Sequence, residues 1–305
     1  MDFLISPRTL PRWAVANLVG NMAIVWTGAL VRLTGSGLGC STWPQCEAGS
    51  YTPHAEAPWH AYVEFGNRLL TFVLIAIALG TFLAAGRAVR AQQARPLVRT
   101  LAFAVGLGII AQAVIGGISV LVQLNPWVVG LHMVVSVGLI VICTRIVHEV
   151  FALPARSLGR TPWLLTQGVF WGSMLMMYLG TVTSGAGPHS GDGAATRNGF
   201  AVTDVARLHS LTMWVTLALG VLLLIVGRSD ARLRRSVLGV LAAAALQGAI
   251  GYAQYLTGLP LGLVLAHMVG TTLYTVAVAH LWFGVRGRVQ NSSGSMAAAM
   301  NTTAR

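Results

Sequence analysis

The sequence contains no lysine and only eight acidic residues in 305 positions. Charged residues make up 9% of the chain, against about 25% in a soluble domain. That scarcity excludes an ordinary soluble protein and implies an integral membrane protein. Cysteine is scarce as well. Three cysteines are too few for a disulfide scaffold. Cys40 and Cys46 lie close together in one loop, and Cys143 sits alone in an apolar run, as a small core residue does. The net charge of +12 is carried by arginine alone. Its distribution argues against a nucleic-acid partner: the arginines cluster in short loops between apolar runs, as the positive-inside rule requires.

What the chain has is hydrocarbon. Hydrophobic residues make up 55% of it, and a bilayer is crossed by about 20 apolar residues in a helix. Eight spans are expected, at roughly 13–33, 61–85, 99–122, 128–148, 163–183, 204–226, 237–256 and 262–283. The first follows Arg8 and Arg12 and is too long for a signal peptide. Asn17 and Asn21, one turn apart, give it an amide face to pack inward. One side of the membrane receives Arg8, Arg12, Arg87, Arg90, Arg95, Arg99, Arg145, Arg156, Arg160, Arg228, Arg232, Arg234, Arg235, Arg286 and Arg288. The other receives only Arg32, Arg68, Arg197 and Arg207. Both termini are therefore expected in the cytoplasm, with the loops around 34–60 and 184–203 outside. There Cys40 and Cys46 meet an oxidising compartment. They are either two free thiols or a bridge, which the compartment favours and which would stabilise the loop by about 2–3 kcal/mol on chain-entropy grounds. The segment 289–305, rich in Ser, Asn, Ala and Gly, is expected to be disordered.

An internal repeat organises the chain. Gln112-Ala-Val-Ile-Gly116 precedes His132-Met-Val, and Gln247-Gly-Ala-Ile-Gly251 precedes His267-Met-Val. Gly28–Gly37 and Gly180–Gly187 match weakly. The fold class expected is therefore an all-α integral membrane protein of eight transmembrane helices, arranged as two pseudo-symmetric four-helix bundles, 1–155 and 156–288. His132, His209 and His267 lie at similar depth, within about 10 Å of the outer surface. Two histidines from neighbouring helices at one depth suit bis-histidine haem ligation, whereas zinc needs three or four ligands. Helix 2 opens with His60, Glu64, Asn67 and Arg68 on one face, and such groups are costly in a bilayer. Aligned on the repeat, Glu64 faces Ala206, and Asn67 stands where the second half has His209. The second half therefore suits a permanently held, electron-carrying haem. The first, with one histidine and an acid, suits a site left open for chemistry.

Each of these residues also has a plainer reading. A lone membrane histidine can simply bond a neighbouring helix. Arg68 and Arg207 either meet haem propionates or snorkel to the interface. Gln112 and Gln247 read as helix-packing amides. His148 and His280 read as interfacial, His54 and His189 as solvated loop residues. His60 is an alternative ligand, a proton relay or a surface residue.

The stretch Arg32-Leu-Thr-Gly-Ser-Gly-Leu-Gly-Cys40-Ser-Thr-Trp43-Pro44-Gln-Cys46, followed by Glu64-Phe-Gly-Asn-Arg68, resembles haem A synthase of the CtaA family. The likeness extends over the apolar part of the chain to about Phe283, and His209 and His267 fit it. The resemblance implies eight helices in two bundles and a membrane oxidoreductase acting in cytochrome oxidase biogenesis. It implies oxidation of the C8 methyl of haem O to the formyl of haem A by successive hydroxylations, with oxygen from water. Haem O as substrate would sit in the first half on His132, with Glu64 as catalytic acid or base. Haem b as cofactor would sit in the second half on His209 and His267. Cys40 and Cys46 fit the family's disulfide. Haem O synthase is then a candidate delivery partner, and an electron acceptor is required. Asn67 departs from the family: many members have E-x-x-H-R, and this chain has an actinobacterial-like E-F-G-N-R. An amide is a poor iron ligand, which leaves His132 alone, or with His60 or water.

Two other functions fit parts of the pattern. A bis-histidine cytochrome b exchanging electrons with quinone would need two fully ligated haems. A haem-free transporter built on the repeat would be colourless. The orientation is testable directly. A periplasm-active reporter fused after Ser50 should be active and one fused after Arg228 inactive; the reverse pattern would overturn the assignment.

Overall fold

The computed structural model describes residues 5–287. The expected disordered tail, 289–305, and Arg288 lie outside the described residues. Eight long helices carry the fold: α1 (Leu10–Leu33), α2 (Trp59–Arg90), α3 (Pro96–Leu121), α4 (Pro126–Val150), α5 (Arg160–Ala186), α6 (Val202–Val226), α7 (Ala231–Leu256) and α8 (Leu261–Phe283). Proline opens the first turn of α1, α3 and α4, where its missing N–H is no loss. Asn125 caps α4 through Trp127 N at 3.0 Å. Asp230 caps α7 by accepting from Arg232 N and Leu233 N at 3.0 and 3.1 Å, which starts that helix earlier than the hydropathy pattern does. Helix α2 likewise outlasts its apolar run. Arg87 and Arg90 close its last turn, where cations meet the negative end of the helix dipole.

Among the described residues seven of the helices are long and apolar enough to cross a membrane; α5 is not one of them. Its composition explains the difference. Thr166 and Ser173 are buried in it and are satisfied locally, Thr166 Oγ1 donating to Pro162 O at 2.8 Å and Ser173 Oγ to Val169 O at 2.7 Å. Ser173 Oγ also lies 2.7 Å from Tyr274 OH on α8. Polar positions lower the hydropathy of α5, which still exposes Leu164, Trp171, Leu175 and Tyr178 on its outer face.

Helices α1 to α4 form one closed ring of neighbours, α1–α2–α3–α4–α1, and α5 to α8 form a second. The rings meet where α4 packs on α8 and α5, and α1 on α8. Met22, Val25 and Ile140 fill that junction with Trp26, Met133, Met268 and Val276. Trp26 Nε1 donates to Thr272 Oγ1 across it at 2.8 Å. At the opposite end of the same junction His148 Nε2 and His280 Nδ1 lie 2.9 Å apart, and Arg145 stands over the Phe283 ring. His148 is buried, which corrects its expected interfacial position: another imidazole, not water, partners it. Two three-residue strands, β1 (Arg156–Leu158) and β2 (Val285–Gly287), pair in parallel. They tie the connection between the rings to the end of α8, and the Arg156–Asp230 ion pair at 2.8 Å braces them.

The loop between α1 and α2 folds back over the first ring. Cys40 and Cys46 form a disulfide, and both are fully buried. Gly39 packs its backbone against the start of α2, where a Cβ would collide with His60 O. The Trp43 ring lies directly on Gly117 of α3. In the second half the repeat partner of Gly117 is Tyr252, which is exposed and bonds Ser210 and Trp214 through its hydroxyl, so the two halves differ at this position. A Cβ at position 117 would fall inside the indole ring. Gly117→Ala should therefore destabilise the detergent-solubilised protein by about 1–3 kcal/mol, read as a lowered thermal midpoint. An unchanged midpoint would show that the ring does not seat there.

Candidate functional site

Glu64 is 6% exposed and has both oxygens engaged. Oε1 accepts from Arg68 Nε at 3.1 Å and Nη2 at 2.6 Å. Oε2 accepts from Cys40 N at 2.7 Å. One turn of helix spaces the acid and the guanidinium as an i, i+4 pair. Arg68 goes on to donate to Gln45 O at 3.2 Å and Thr42 O at 3.0 Å. The pair thus joins α2 to the disulfide loop. A buried ion pair is tolerable only when further hydrogen bonds offset its desolvation, and the three loop contacts supply them. The arrangement fixes a negative charge at the loop end of the first ring. Such a charge can stabilise a developing cation, or take a proton when Arg68 swings away.

The other members of the α2 face point elsewhere. His60 Nδ1 lies 2.9 Å from Ser36 Oγ in the loop. Seven residues separate it from Asn67, roughly 10 Å along the helix. Asn67 Oδ1 accepts from Thr27 Oγ1 at 2.7 Å, and the same hydroxyl is 3.2 Å from Ile24 O. In the second half His209 Nδ1 lies 2.8 Å from Met176 O, and Met176 is the repeat partner of Ile24. The imidazole there meets a backbone carbonyl, whereas here the Thr27 hydroxyl beside the equivalent carbonyl gives its one proton to Asn67. The Thr27 contact escaped sequence reasoning, because the weak match between α1 and α5 pairs Thr27 with Leu179 and gives no hint of it.

The three ring-interior histidines share a setting. A Cβ on Gly116, Gly180 or Gly251 would sit 3.2, 3.2 or 3.5 Å from Cε1 of His132, His209 or His267; each imidazole lies over a glycine of the adjacent helix. Gln112 Nε2 donates to His132 O at 2.9 Å, and Gln247 Nε2 to His267 O at 2.8 Å. The hydroxyls of Ser136 and Thr271 complete the two clusters. The packing role expected of both glutamines is thus a bond to the backbone of a candidate ligand. Arg207 stands apart, with 83% of its side chain exposed and Asp204 at 3.9 Å. His189, expected to be solvated, is half-buried, with Nε2 2.9 Å from Leu259 O and its own carbonyl accepting from Arg32 Nε.

These side chains fit a haem better in one half than in the other. A carbonyl only accepts, so His209 Nδ1 carries the proton and Nε2 keeps the lone pair that a metal needs. His267 Nδ1 and His132 Nδ1 have no partner, so no contact there fixes which ring nitrogen carries the proton. The second ring therefore offers two imidazoles and the first offers one. Among the described residues no group of three or more His, Cys, Asp or Glu side chains is placed to hold a metal ion by itself.

The fold and this site define a multi-pass membrane protein with a duplicated glutamine–histidine site, altered in its first copy. Comparison with known proteins agrees. The family described as COX15-CtaA, cytochrome oxidase assembly protein, matches residues 11–279, and the chain belongs to that family. It is 35% identical over 151 residues to the heme A synthase of Lysinibacillus sphaericus (strain C3-41), covering 47% of this chain and 46% of that protein. It is 33% identical over 109 residues to the heme A synthase of Geobacillus kaustophilus (strain HTA426), 36% of this chain and 32% of that protein. The chain thus spans about half the length, or less, of the curated relatives it matches.

The Glu64–Arg68 pair makes a stability prediction. Arg68→Gln leaves a buried carboxylate without its counter-ion and should cost about 3 kcal/mol, measured by unfolding in detergent. A change of less than about 0.5 kcal/mol would show that the loop contacts alone hold Glu64.

Proposed function

We propose that the protein is a haem A synthase, an oxidoreductase that converts the C8 methyl of haem O to the formyl group of haem A by successive hydroxylations. The oxygen comes from water and the electrons pass to an acceptor. The observation that carries this reading is the asymmetry of the two rings. Both hold a histidine bonded through its carbonyl to a glutamine, but only the first has a buried acid, and only the second has a second imidazole at the matching place.

In this reading His209 and His267 hold haem b in the second ring, and His132 holds the substrate haem O in the first. The haem iron supplies redox chemistry. The chain supplies orientation and charge. Glu64 presents its carboxylate at the loop end of the first ring, where it stabilises positive charge or receives a proton at Oε1 or Oε2. Arg207 is exposed enough to meet a propionate. Arg68 reaches one only by releasing the carbonyls of Thr42 and Gln45. The disulfide loop, pinned by Arg68 and by Trp43 on Gly117, closes the first ring at that end. Its contacts support a shielded site, which oxidation of a methyl group with oxygen taken from water, the electrons leaving to the acceptor, needs if side reactions are to be avoided.

The wider setting follows from the same reading. All eight helices cross the plasma membrane as two four-helix bundles, 1–155 and 156–288, with both termini cytoplasmic and the α1–α2 and α5–α6 loops outside. The arginine distribution supports this orientation. A haem O synthase is the natural source of substrate.

The test is to supply haem O to the purified protein with an electron acceptor, extract the haem and identify it by mass spectrometry. Haem A should form. Glu64→Gln should lower its formation by about 100-fold or more while retaining haem b, and His209→Ala should lose haem b. No haem A from wild-type protein with haem O bound would overturn the proposal.

A further inference from the structure

In each ring a glutamine oxygen and a histidine Nδ1 of one hydrogen-bonded pair are buried without partners; Asn17 Nδ2 and Gln254 Oε1 are also unpartnered but show no such pairing. In the first ring the paired atoms are Gln112 Oε1 and His132 Nδ1; in the second they are Gln247 Oε1 and His267 Nδ1. Each pair is already joined elsewhere, Gln112 Nε2 to His132 O at 2.9 Å and Gln247 Nε2 to His267 O at 2.8 Å. Because the carbonyl can only accept, the amide nitrogen must face it, and the amide oxygen is the atom left over. A buried polar group left without a partner is destabilising. Two in register, repeated in both halves, point to a bond made in another state of the protein.

We propose that Gln112 and Gln247 are positioning residues for the haem-ligating histidines: when His132 or His267 binds iron through Nε2, its Nδ1–H donates to the glutamine Oε1. The inference rests on the haem reading given above and deepens it. A neutral imidazole that ligates through Nε2 must carry its proton on Nδ1, and that proton needs an acceptor in an interior without water. The glutamine amide is the group at hand. It would then hold one histidine at two points, backbone carbonyl and ring, and so fix the ring's direction and basicity. His209 meets the same need with the Met176 carbonyl.

The surroundings are shaped for this contact. Gly116 and Gly251 stand one turn beyond the glutamines and lie beneath the imidazoles, with room only for ordinary contact. In the second ring Gly270 keeps space for the amide oxygen itself: a Cβ there would collide with Gln247 Oε1. The hydroxyls of Ser136 and Thr271 donate to the same histidine carbonyls at 2.9 and 2.8 Å, so the carbonyl end of each cluster stays anchored while the ring end adjusts.

The test is a spectroelectrochemical titration of haem b in the purified holoprotein. An acceptor on Nδ1–H gives the ligand anionic character and favours ferric iron. Gln247→Leu removes the acceptor and should raise the potential. Gln247→Glu strengthens it and should lower the potential. A tenfold change in ferric-over-ferrous preference corresponds to about 59 mV for one electron. Gly270→Ala displaces the amide oxygen without removing it and should follow Gln247→Leu. A merely structural glutamine would not give shifts of opposite sign. Unchanged potentials, or shifts of one sign in Leu and Glu variants, overturn the inference while leaving the haem reading intact. If Gln247→Leu yields no holoprotein, the charge-neutral Gly270→Ala decides: a raised potential supports the bond, and an unchanged or lowered one refutes it. Wild-type protein that binds no haem b refutes both this inference and the reading beneath it.

Discussion

The bond from a glutamine amide to the carbonyl of a histidine one helix away is the contact on which the rest of the site depends. In a bilayer no water is present to satisfy polar groups, so each must find a partner within the protein. The amide nitrogens of Gln112 and Gln247 meet that constraint at the same place in each half. They hold α3 to α4 and α7 to α8 at the level of the imidazoles. The glycine one turn further along makes room for the ring. A duplicated chain that keeps this pair keeps a ligand helix in register with its neighbour.

Around that shared frame the halves diverge, and the divergence carries the functional proposal. Helix α6 brings a second imidazole whose Nδ1 meets a backbone carbonyl, leaving Nε2 free. Helix α2 brings Asn67, occupied by Thr27, and adds Glu64, for which α6 has only Ala206. The outer loop is drawn into the same half. Cys40 N bonds Glu64, Thr42 and Gln45 carbonyls bond Arg68, and the Trp43 ring lies on Gly117 of α3. The first site is thus rebuilt with a fixed charge and a loop cover, which suits conversion of a bound molecule. The second keeps what suits a permanent electron carrier.

Much of this was legible in the residues. Apolar runs located the helices, and seven of them are long and apolar enough to cross a membrane, because burial in hydrocarbon leaves a continuous signal. The identical spacing from Gln112 to His132 and from Gln247 to His267 exposed the repeat, and the repeat singled out Glu64 and Asn67. Helix ends were less legible, because Asp230 and the terminal arginines extend helices beyond their apolar runs. The lower hydropathy of α5 comes from buried hydroxyls that its neighbours and its own backbone satisfy. The contacts of the outer loop left no periodic trace at all. A glycine such as Gly117 gains its meaning only when the distant tryptophan that rests on it is known. The His148–His280 contact and the β1–β2 pairing join residues more than a hundred positions apart, and neither end carries a signal of the other.

The central claim is that one half holds iron between two histidines and the other does not. Electron paramagnetic resonance of the purified protein loaded with haem tests it most directly. The account predicts one low-spin, bis-histidine haem, together with a second haem whose signal is not that of bis-histidine ligation. Two bis-histidine signals of equal intensity, or no haem bound after it has been supplied, would contradict it.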